Sequence, residues 1–319
     1  MAASATSKLS PLAIDVAEGL SLAGQKRISP HYFYDALGSS LFEAITLLPE
    51  YGLARADERL LRRYASDIAA MAGNLSIVSE LGSGTGKKTK FILEGILAFG
   101  LSIVYRPIDV SRAALETCQQ LVGDLCVVDT VCSDWLEGLG EIDRNRDPGG
   151  RLLLLFLGSS IGNIERTCVV EFLRSVRFHL REGDFFLIGA DLIKNVNRTL
   201  AAYDDATGVT AAFNLNLLGR INRELDANFD LKSFAHDVRW NHVERRIEMH
   251  LVSAREQIVY SGVLDMSFHF RAGETIWTES SHKFTQDELI TYARESGFEE
   301  RATWTDAEWP FAETLWQAV

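Results

Sequence analysis

The stretch Ser79-Glu80-Leu81-Gly82-Ser83-Gly84-Thr85-Gly86-Lys87 constrains this 319-residue chain more than any other. Ahead of it, Leu75-Ser76-Ile77-Val78 is apolar enough for a buried strand; behind it, Lys90-Phe91-Ile92-Leu93 to Phe99 places apolar residues at helical spacing. The glycines therefore sit where a strand turns into a helix, which is where an open α/β sheet binds its ligand. Glycine lets the backbone take positive φ and lets a ligand come close. The helix start offers unpaired N–H groups to an electron-rich ligand.

Spacing narrows the ligand. The dinucleotide fingerprint G-x-G-x-x-G is one residue longer than Gly82-x-Gly84-x-Gly86, and a phosphate loop G-x-x-x-x-G-K-[ST] fails because Gly82 to Gly86 is short and Lys88 stands where Ser or Thr belongs. An acidic residue before G-x-G-x-G, here Glu80, resembles motif I of the class I S-adenosylmethionine (SAM) methyltransferases. Two further strand ends agree. Ile103-Val104-Tyr105-Arg106-Pro107-Ile108 ends at Asp109, whose carboxylate can accept from both ribose hydroxyls. Cys126 to Cys132 reads as the third strand and runs into Ser133-Asp134-Trp135, a carboxylate beside an aromatic, which suits an adenine amino group and its π-face. A strand-end aspartate taken singly is more often a turn or helix cap; three successive acids are harder to get by accident.

Composition works by exclusion. A formal net charge of −12 argues against a nucleic-acid partner, which needs a basic face. The first eight residues lack the apolar core of a signal peptide, and the longest apolar run, Leu152 to Leu157, cannot span a bilayer. Cys118, Cys126, Cys132 and Cys168 form no CxxC pair and read as buried thiols of a reducing compartment. The seven histidines show no metal-binding cluster, and none is assigned to catalysis; His242 and His250 read as surface residues. No metal is expected, and the chain reads as a cytoplasmic monomer with no membrane partner.

Along the chain, residues 1–12 read as disordered, and Ile14-Val16-Leu20 as helical. Pro49 breaks a helix, and an amphipathic helix runs from Asp57 to Met71. Leu152 to Leu157 is a fully buried parallel strand by its lack of alternation, followed by a helix from Glu165 to Leu180 and the strand Phe185 to Ala190. Residues 197–225 read as helix. Beyond about 238 the period becomes two, giving antiparallel strands at Arg246–Val252, Gln257–Tyr260 and Val263–Phe270, then an extended segment Gly273–Ser281. Thr285-Gln286-Asp287-Glu288 is a capping box, and Phe298–Trp304 with Phe311–Val319 reads as a hairpin returning to the sheet. The fold class is thus α/β: a Rossmann-like methyltransferase domain (56–192 and 284–319) with a second α+β substrate-binding domain (13–55 and 193–283) that lids the strand tips.

Several longer runs carry a family resemblance: Phe33-Tyr34-Asp35 with Gly38-Ser39, Leu48-Pro49-Glu50-Tyr51, Leu157-Gly158-Ser159-Ser160-Ile161-Gly162-Asn163, and Tyr203-Asp204-Asp205 with Gly208 to Asn214. Arg246-Ile247-Glu248-Met249 and Thr278-Glu279-Ser280-Ser281 with Lys283-Phe284 continue it. Together with the glycine stretch they resemble the histidine-specific methyltransferases of ergothioneine biosynthesis over nearly the whole chain. The resemblance implies trimethylation of the α-amino group of L-histidine by SAM, giving hercynine. It implies that Tyr51, Asn163 and Tyr203 hold the substrate carboxylate and amine, that Tyr34 and the Gly158 backbone lie near the amine, with Tyr34 and Asn163 as the catalytic pair, that Glu279 and Ser281 bind the imidazole, and that Met249 packs on it. It also implies a SAM site lined by Gly82, Ser83, Gly84, Lys88, Asp109, Asp134 and Trp135.

The chain departs from the family after Pro49-Glu50, where Tyr51-Gly52-Leu53-Ala54-Arg55-Ala56-Asp57 replaces Tyr-Tyr and a Thr-Arg-Thr-Glu stretch, and at Ser280 and His282. An N-methyltransferase of another aromatic amino acid, such as tryptophan, stays open. Methyl transfer is an in-line displacement that needs alignment rather than a metal or a covalent nucleophile. A NAD-dependent oxidoreductase is disfavoured by the glycine spacing, and a non-catalytic SAM-binding regulator by the intact Tyr51, Asn163, Tyr203 and Glu279.

Overall fold

The computed structural model describes residues Leu9–Val319. Of the stretch expected to be disordered, residues 1–8 lie outside the described residues. The remainder is ordered into a helix: Pro11–Leu20 begins there, with Ser10 accepting from the Ala13 N–H as its cap and Pro11 at the first position, where a missing N–H costs nothing. Among the described residues no helix is long and apolar enough to cross a membrane.

The chain divides into two compact units: a larger one of Thr46–Thr199, His242–Arg246 and Ser280–Val319, and a smaller one of the residues up to Ile45, Leu200–Asn241 and Ile247–Glu279. Tyr51 and Ser281 thus belong to the larger unit, and Tyr34, Tyr203, Met249 and Glu279 to the smaller.

The larger unit is built on an eight-stranded sheet. Its order from one edge is Phe298–Thr305, Phe311–Ala318, Phe185–Asp191, Leu152–Phe156, Ile77–Leu81, Val104–Asp109, Val127–Val128, with Val131–Cys132 also pairing to Val104–Asp109. The inner pairs are parallel, and only Phe311–Ala318 runs antiparallel to both neighbours. Ile77–Leu81 and Leu152–Phe156 are buried at every position because helices cover both faces, which explains their unbroken apolar runs. One face packs Leu154, Phe156, Phe186 and Trp316 among others; the opposite face packs Val78, Tyr105, Leu153 and Leu187 under the helix Gly52–Ala72. Strand order reverses between Ile77–Leu81 and Leu152–Phe156, and the crevice beyond their carboxyl ends is the ligand position of such sheets.

The expected single third strand is two short ones, because Asp129 and Thr130 interrupt the apolar run. The helix expected over 197–225 is also two, Val196–Ala201 and Val209–Leu225. Asp205 separates them: its carboxylate accepts from the Val209 and Thr210 N–H groups, which starts the second helix afresh. The capping box at Thr285 is present in full.

The smaller unit carries a four-stranded sheet ordered Lys26–Arg27, Thr275–His282, Arg246–Ser253, Phe234–Asn241, with a separate hairpin of Gln257–Ser261 and Met266–Phe270. The period of two expected beyond 238 is visible in Thr275–His282, where Ile276, Thr278 and Ser280 turn inward. Two readings are corrected. His250 is buried, because its strand lies inside the sheet, while His242 is exposed. Of the four cysteines, which are all free, only Cys118 is fully buried; Cys132 and Cys168 are exposed.

Candidate active site

In the larger unit the strand Ile77–Leu81 delivers the glycine stretch to the crevice. Gly82, Gly84 and Gly86 have φ of 72°, 53° and 71°, the left-handed region that other residues pay to enter. The turn is held by the Gly82 N–H donating to the Ile108 carbonyl (2.8 Å) and the Gly84 N–H donating to Asp109 Oδ2 (2.9 Å). Asp109 Oδ1 accepts from the Ser111 N–H (2.8 Å). Asp109 thus holds both the glycine turn and the start of the next helix from the strand tip. A side chain at Gly82 would meet Trp135 Nε1 at 3.2 Å, whereas one at Gly84 would meet nothing within 4 Å. Ser83 Oγ is buried and has no partner, an orphaned hydroxyl inside a glycine cradle. Open space at Gly84, an unsatisfied hydroxyl and a carboxylate at the next strand tip fit a ribose-bearing cofactor.

Trp135 stands at the start of the helix Trp135–Asn145, edge-on to Phe156 and Phe172 with centroids 4.9 and 5.9 Å away, which fixes its ring. Asp134 caps that helix, Oδ1 accepting from the Glu137 N–H (3.0 Å). The ordinary cap reading of this aspartate is therefore present, and the exposed carboxylate retains capacity for one more donor.

Beneath the cradle lies a cluster of buried charge that the sequence reading missed. Asp57, on the helix Gly52–Ala72, and Glu313, on Phe311–Ala318, are both almost wholly buried. Asp57 Oδ2 pairs with the Lys88 ammonium and accepts from the Gly158 N–H at 3.0 Å. Asp57 Oδ1 and both Glu313 oxygens are buried with no hydrogen-bond partner. Burial and the neighbouring Asp57 push the Glu313 carboxyl well above the usual carboxylate range. Burial opposes the charge on Lys88, but the Asp57 carboxylate paired with it outweighs that and raises its pKa. The cluster thus fixes two expected site residues, Lys88 and Gly158. Gly158 and Ser159 both take positive φ, 71° and 62°, and Ser159 Oγ accepts from the Asp191 N–H (2.9 Å). A charged residue inside the buried run Phe311-Ala312-Glu313-Thr314-Leu315-Trp316 was the available sequence signal.

Glu80, the acid before the glycines, points into the core: it accepts from Thr89 Oγ1 and from the Tyr105 hydroxyl (2.7 Å). Burial pushes its carboxyl up to about 7 against those two donors. Asn163 ends the 3₁₀ turn Ser160–Asn163. That turn packs closely on the chain at His282, whose carbonyl lies 2.9 Å from where a Gly162 side chain would begin. Tyr51 is buried just before the helix Gly52–Ala72, in a turn held by Arg55 donating to the Leu48 and Pro49 carbonyls. The departure at Gly52 has a steric reason: a Cβ there would lie 2.2 Å from the Trp309 ring. Ser281 Oγ accepts from Lys283 Nζ (2.8 Å), which also pairs with Asp191 at 3.0 Å.

In the smaller unit Tyr34 packs edge-on to Phe42 and Phe213, with centroids 5.6 and 5.9 Å away. Tyr203 and Met249 are buried, and their carbonyls accept from His236 Nε2 (2.8 Å) and Thr278 Oγ1 (3.0 Å). Glu279 is half-buried beside Trp277, whose indole N–H donates to the Glu279 carbonyl (2.9 Å).

A doubly wound sheet in this strand order, with a glycine cradle and an acid at the next strand tip, defines a class I SAM-dependent methyltransferase fold. Comparison with known proteins makes the assignment narrower. Residues 12–318 match the family of SAM-dependent histidine-specific methyltransferases, and the chain belongs to that family. It is 41% identical over 304 residues to a histidine N-alpha-methyltransferase of Mycolicibacterium smegmatis, covering 94% of this chain and 93% of that one. It is 40% identical, with the same coverage, to the histidine N-alpha-methyltransferase of Mycobacterium tuberculosis. A fungal relative, ergothioneine biosynthesis protein 1 of Neurospora crassa, is 28% identical over 88% of this chain and 32% of its own length.

Proposed function

We propose that the protein methylates the α-amino nitrogen of L-histidine three times in succession, producing Nα,Nα,Nα-trimethylhistidine (hercynine), the first step of ergothioneine biosynthesis. The observation that carries this reading is the 41% identity to a histidine N-alpha-methyltransferase along almost the full length of both chains.

Bound SAM supplies a methyl group on a positively charged sulfur. The chain's own tasks are to hold it, to aim the amine at it and to keep water out. Gly82, Ser83 and Gly84 line the cofactor cradle, Asp109 takes the ribose hydroxyls, and Asp134 with Trp135 takes the adenine. Lys88, kept charged by Asp57, takes a carboxylate. Tyr51, Asn163 and Tyr203 hold the substrate's carboxylate and amine, with Tyr34 and the Gly158 backbone beside the nitrogen. Asn163 is suited to this because an amide accepts from an amine and donates to a carboxylate. Glu279 accepts from an imidazole N–H, Ser281 serves the other ring nitrogen, and Met249 packs on the ring. An ammonium has no lone pair, so each attack requires prior loss of a proton, which desolvation of the amine favours.

The same reading describes a cytoplasmic monomer that engages neither nucleic acid nor membrane. Its net charge of −12 and its four unpaired cysteines support this. Light scattering on the purified protein tests the monomer.

The deciding experiment is mass spectrometry after incubation with SAM and each of the twenty amino acids in turn. Histidine gaining up to three methyl groups is the expected result. Preferred methylation of tryptophan, or none of histidine, overturns the reading.

A further inference from the structure

Three polar side chains in the smaller unit, Asn214, His236 and Thr278, form a connected chain of hydrogen bonds. Its centre is Asn214, fully buried on the helix Val209–Leu225. Asn214 Nδ2 lies 3.1 Å from the His250 carbonyl and 2.9 Å from His236 Nδ1. Asn214 Oδ1 lies 2.8 Å from Thr278 Oγ1, which is 3.0 Å from the Met249 carbonyl. His236 Nε2 lies 2.8 Å from the Tyr203 carbonyl.

Three of these partners are backbone carbonyls, which only accept. The His250 carbonyl requires a donor, so the nitrogen of the Asn214 amide faces it. That same nitrogen faces His236 Nδ1, which must therefore accept. The ring hydrogen then sits on Nε2, where the Tyr203 carbonyl needs it. Asn214 Oδ1 is left to accept from the Thr278 hydroxyl, whose single hydrogen also points toward the Met249 carbonyl. Turning the amide over would set oxygen against the His250 carbonyl and leave a bare ring nitrogen facing the Tyr203 carbonyl. The two residues at the ends of this chain, Tyr203 and Met249, are the ones assigned above to the substrate's polar head and to its ring.

We infer that His236 is a positioning residue for substrate histidine, held as the neutral Nε2–H tautomer, and that Thr278, Asn214 and His236 tie Tyr203 to Met249 so that the two ends of the substrate are gripped in register. This rests on the substrate reading of Tyr203 and Met249. The chain touches no cofactor residue, so its loss falls on histidine binding and not on SAM binding.

The test has two arms. Long-range ¹H–¹⁵N NMR of the histidine-labelled protein should show His236 protonated at Nε2 and bare at Nδ1; a ring protonated at Nδ1, or at both nitrogens at neutral pH, overturns the inference. In kinetics, His236→Gln keeps one acceptor and one donor and should leave the KM for histidine within about threefold of wild type. His236→Phe offers neither and should raise that KM roughly tenfold or more, with SAM affinity unchanged by calorimetry. Thr278→Val cuts the other end of the chain and should also raise the KM, which keeps the inference testable if the phenylalanine variant does not fold. A folded Phe variant with unchanged KM, or SAM affinity falling in step, overturns the positioning role. A wild type that binds SAM but does not methylate histidine instead overturns the substrate reading on which the inference stands.

Discussion

Glu279 carries the test of substrate choice. A site built to hydrogen-bond its ligand rejects analogues that leave its polar groups unpaired. Glu279→Ala removes a charged acceptor and adds room. It is expected to lower kcat/KM for histidine roughly ten- to a thousandfold and to narrow the gap to tryptophan and phenylalanine. Steady-state kinetics with the three amino acids on both proteins checks this, and an unaltered preference removes Glu279 from the ring site. Glu80 gives a second residue-level prediction, in stability. Burial raises its carboxyl from an ordinary 4.5 to about 7 in the folded chain. A group raised in this way supports the fold fully below its unfolded value and loses that support as pH climbs through about 7. Glu80→Gln is neutral throughout and escapes the loss. The stability difference between variant and wild type should therefore move in the variant's favour by about 3 kcal/mol between pH 4.5 and 8, read by urea unfolding at both pH values.

Among elements, the strand-to-helix turn is where sequence and structure agree most directly. Three glycines at alternate positions have one common physical demand, positive φ, and the chain meets it at all three. At Gly86 a second demand is added, since a Cβ would lie 2.6 Å from Cys118 Sγ. Gly86→Ala is expected to cost about 1–3 kcal/mol and to lower the melting temperature by a few degrees, measured by calorimetry. The parallel strands and the capping box were legible for a similar reason: a local pattern suffices to specify them. The interrupted third strand and the split helix were not, because a single Asp205 redirecting three backbone or hydroxyl donors leaves no mark on periodicity. The polar chain through Asn214 was invisible for a stronger reason. His236 and Thr278 reach Asn214 from 22 and 64 residues away, and only folding brings such partners together. Asp57 is hidden in the same way, looking like a surface charge until the sheet encloses it, whereas Glu313 stands out as an acid inside an apolar run.

For the whole molecule, ligand binding and stability are linked. A ligand held only by the folded chain stabilises it by RT ln(1 + [L]/Kd), about 2.7 kcal/mol at a hundred times Kd. SAM at that excess should raise the melting temperature by roughly 5 °C, and NAD should leave it unchanged. Differential scanning fluorimetry distinguishes the two, and a response to NAD alone would return the fold to the oxidoreductases. A methyl donor of this kind is also an alkylating agent toward the protein that stores it, and thiolates are its natural victims. Cys118 sits with its sulfur under the cofactor turn, yet burial pushes its thiol up to about 12, so almost none of it is thiolate at neutral pH. The enzyme is thereby shielded from modifying itself at the one cysteine packed against its own cradle. Intact-protein mass spectrometry after prolonged incubation with SAM should find Cys118 unmethylated.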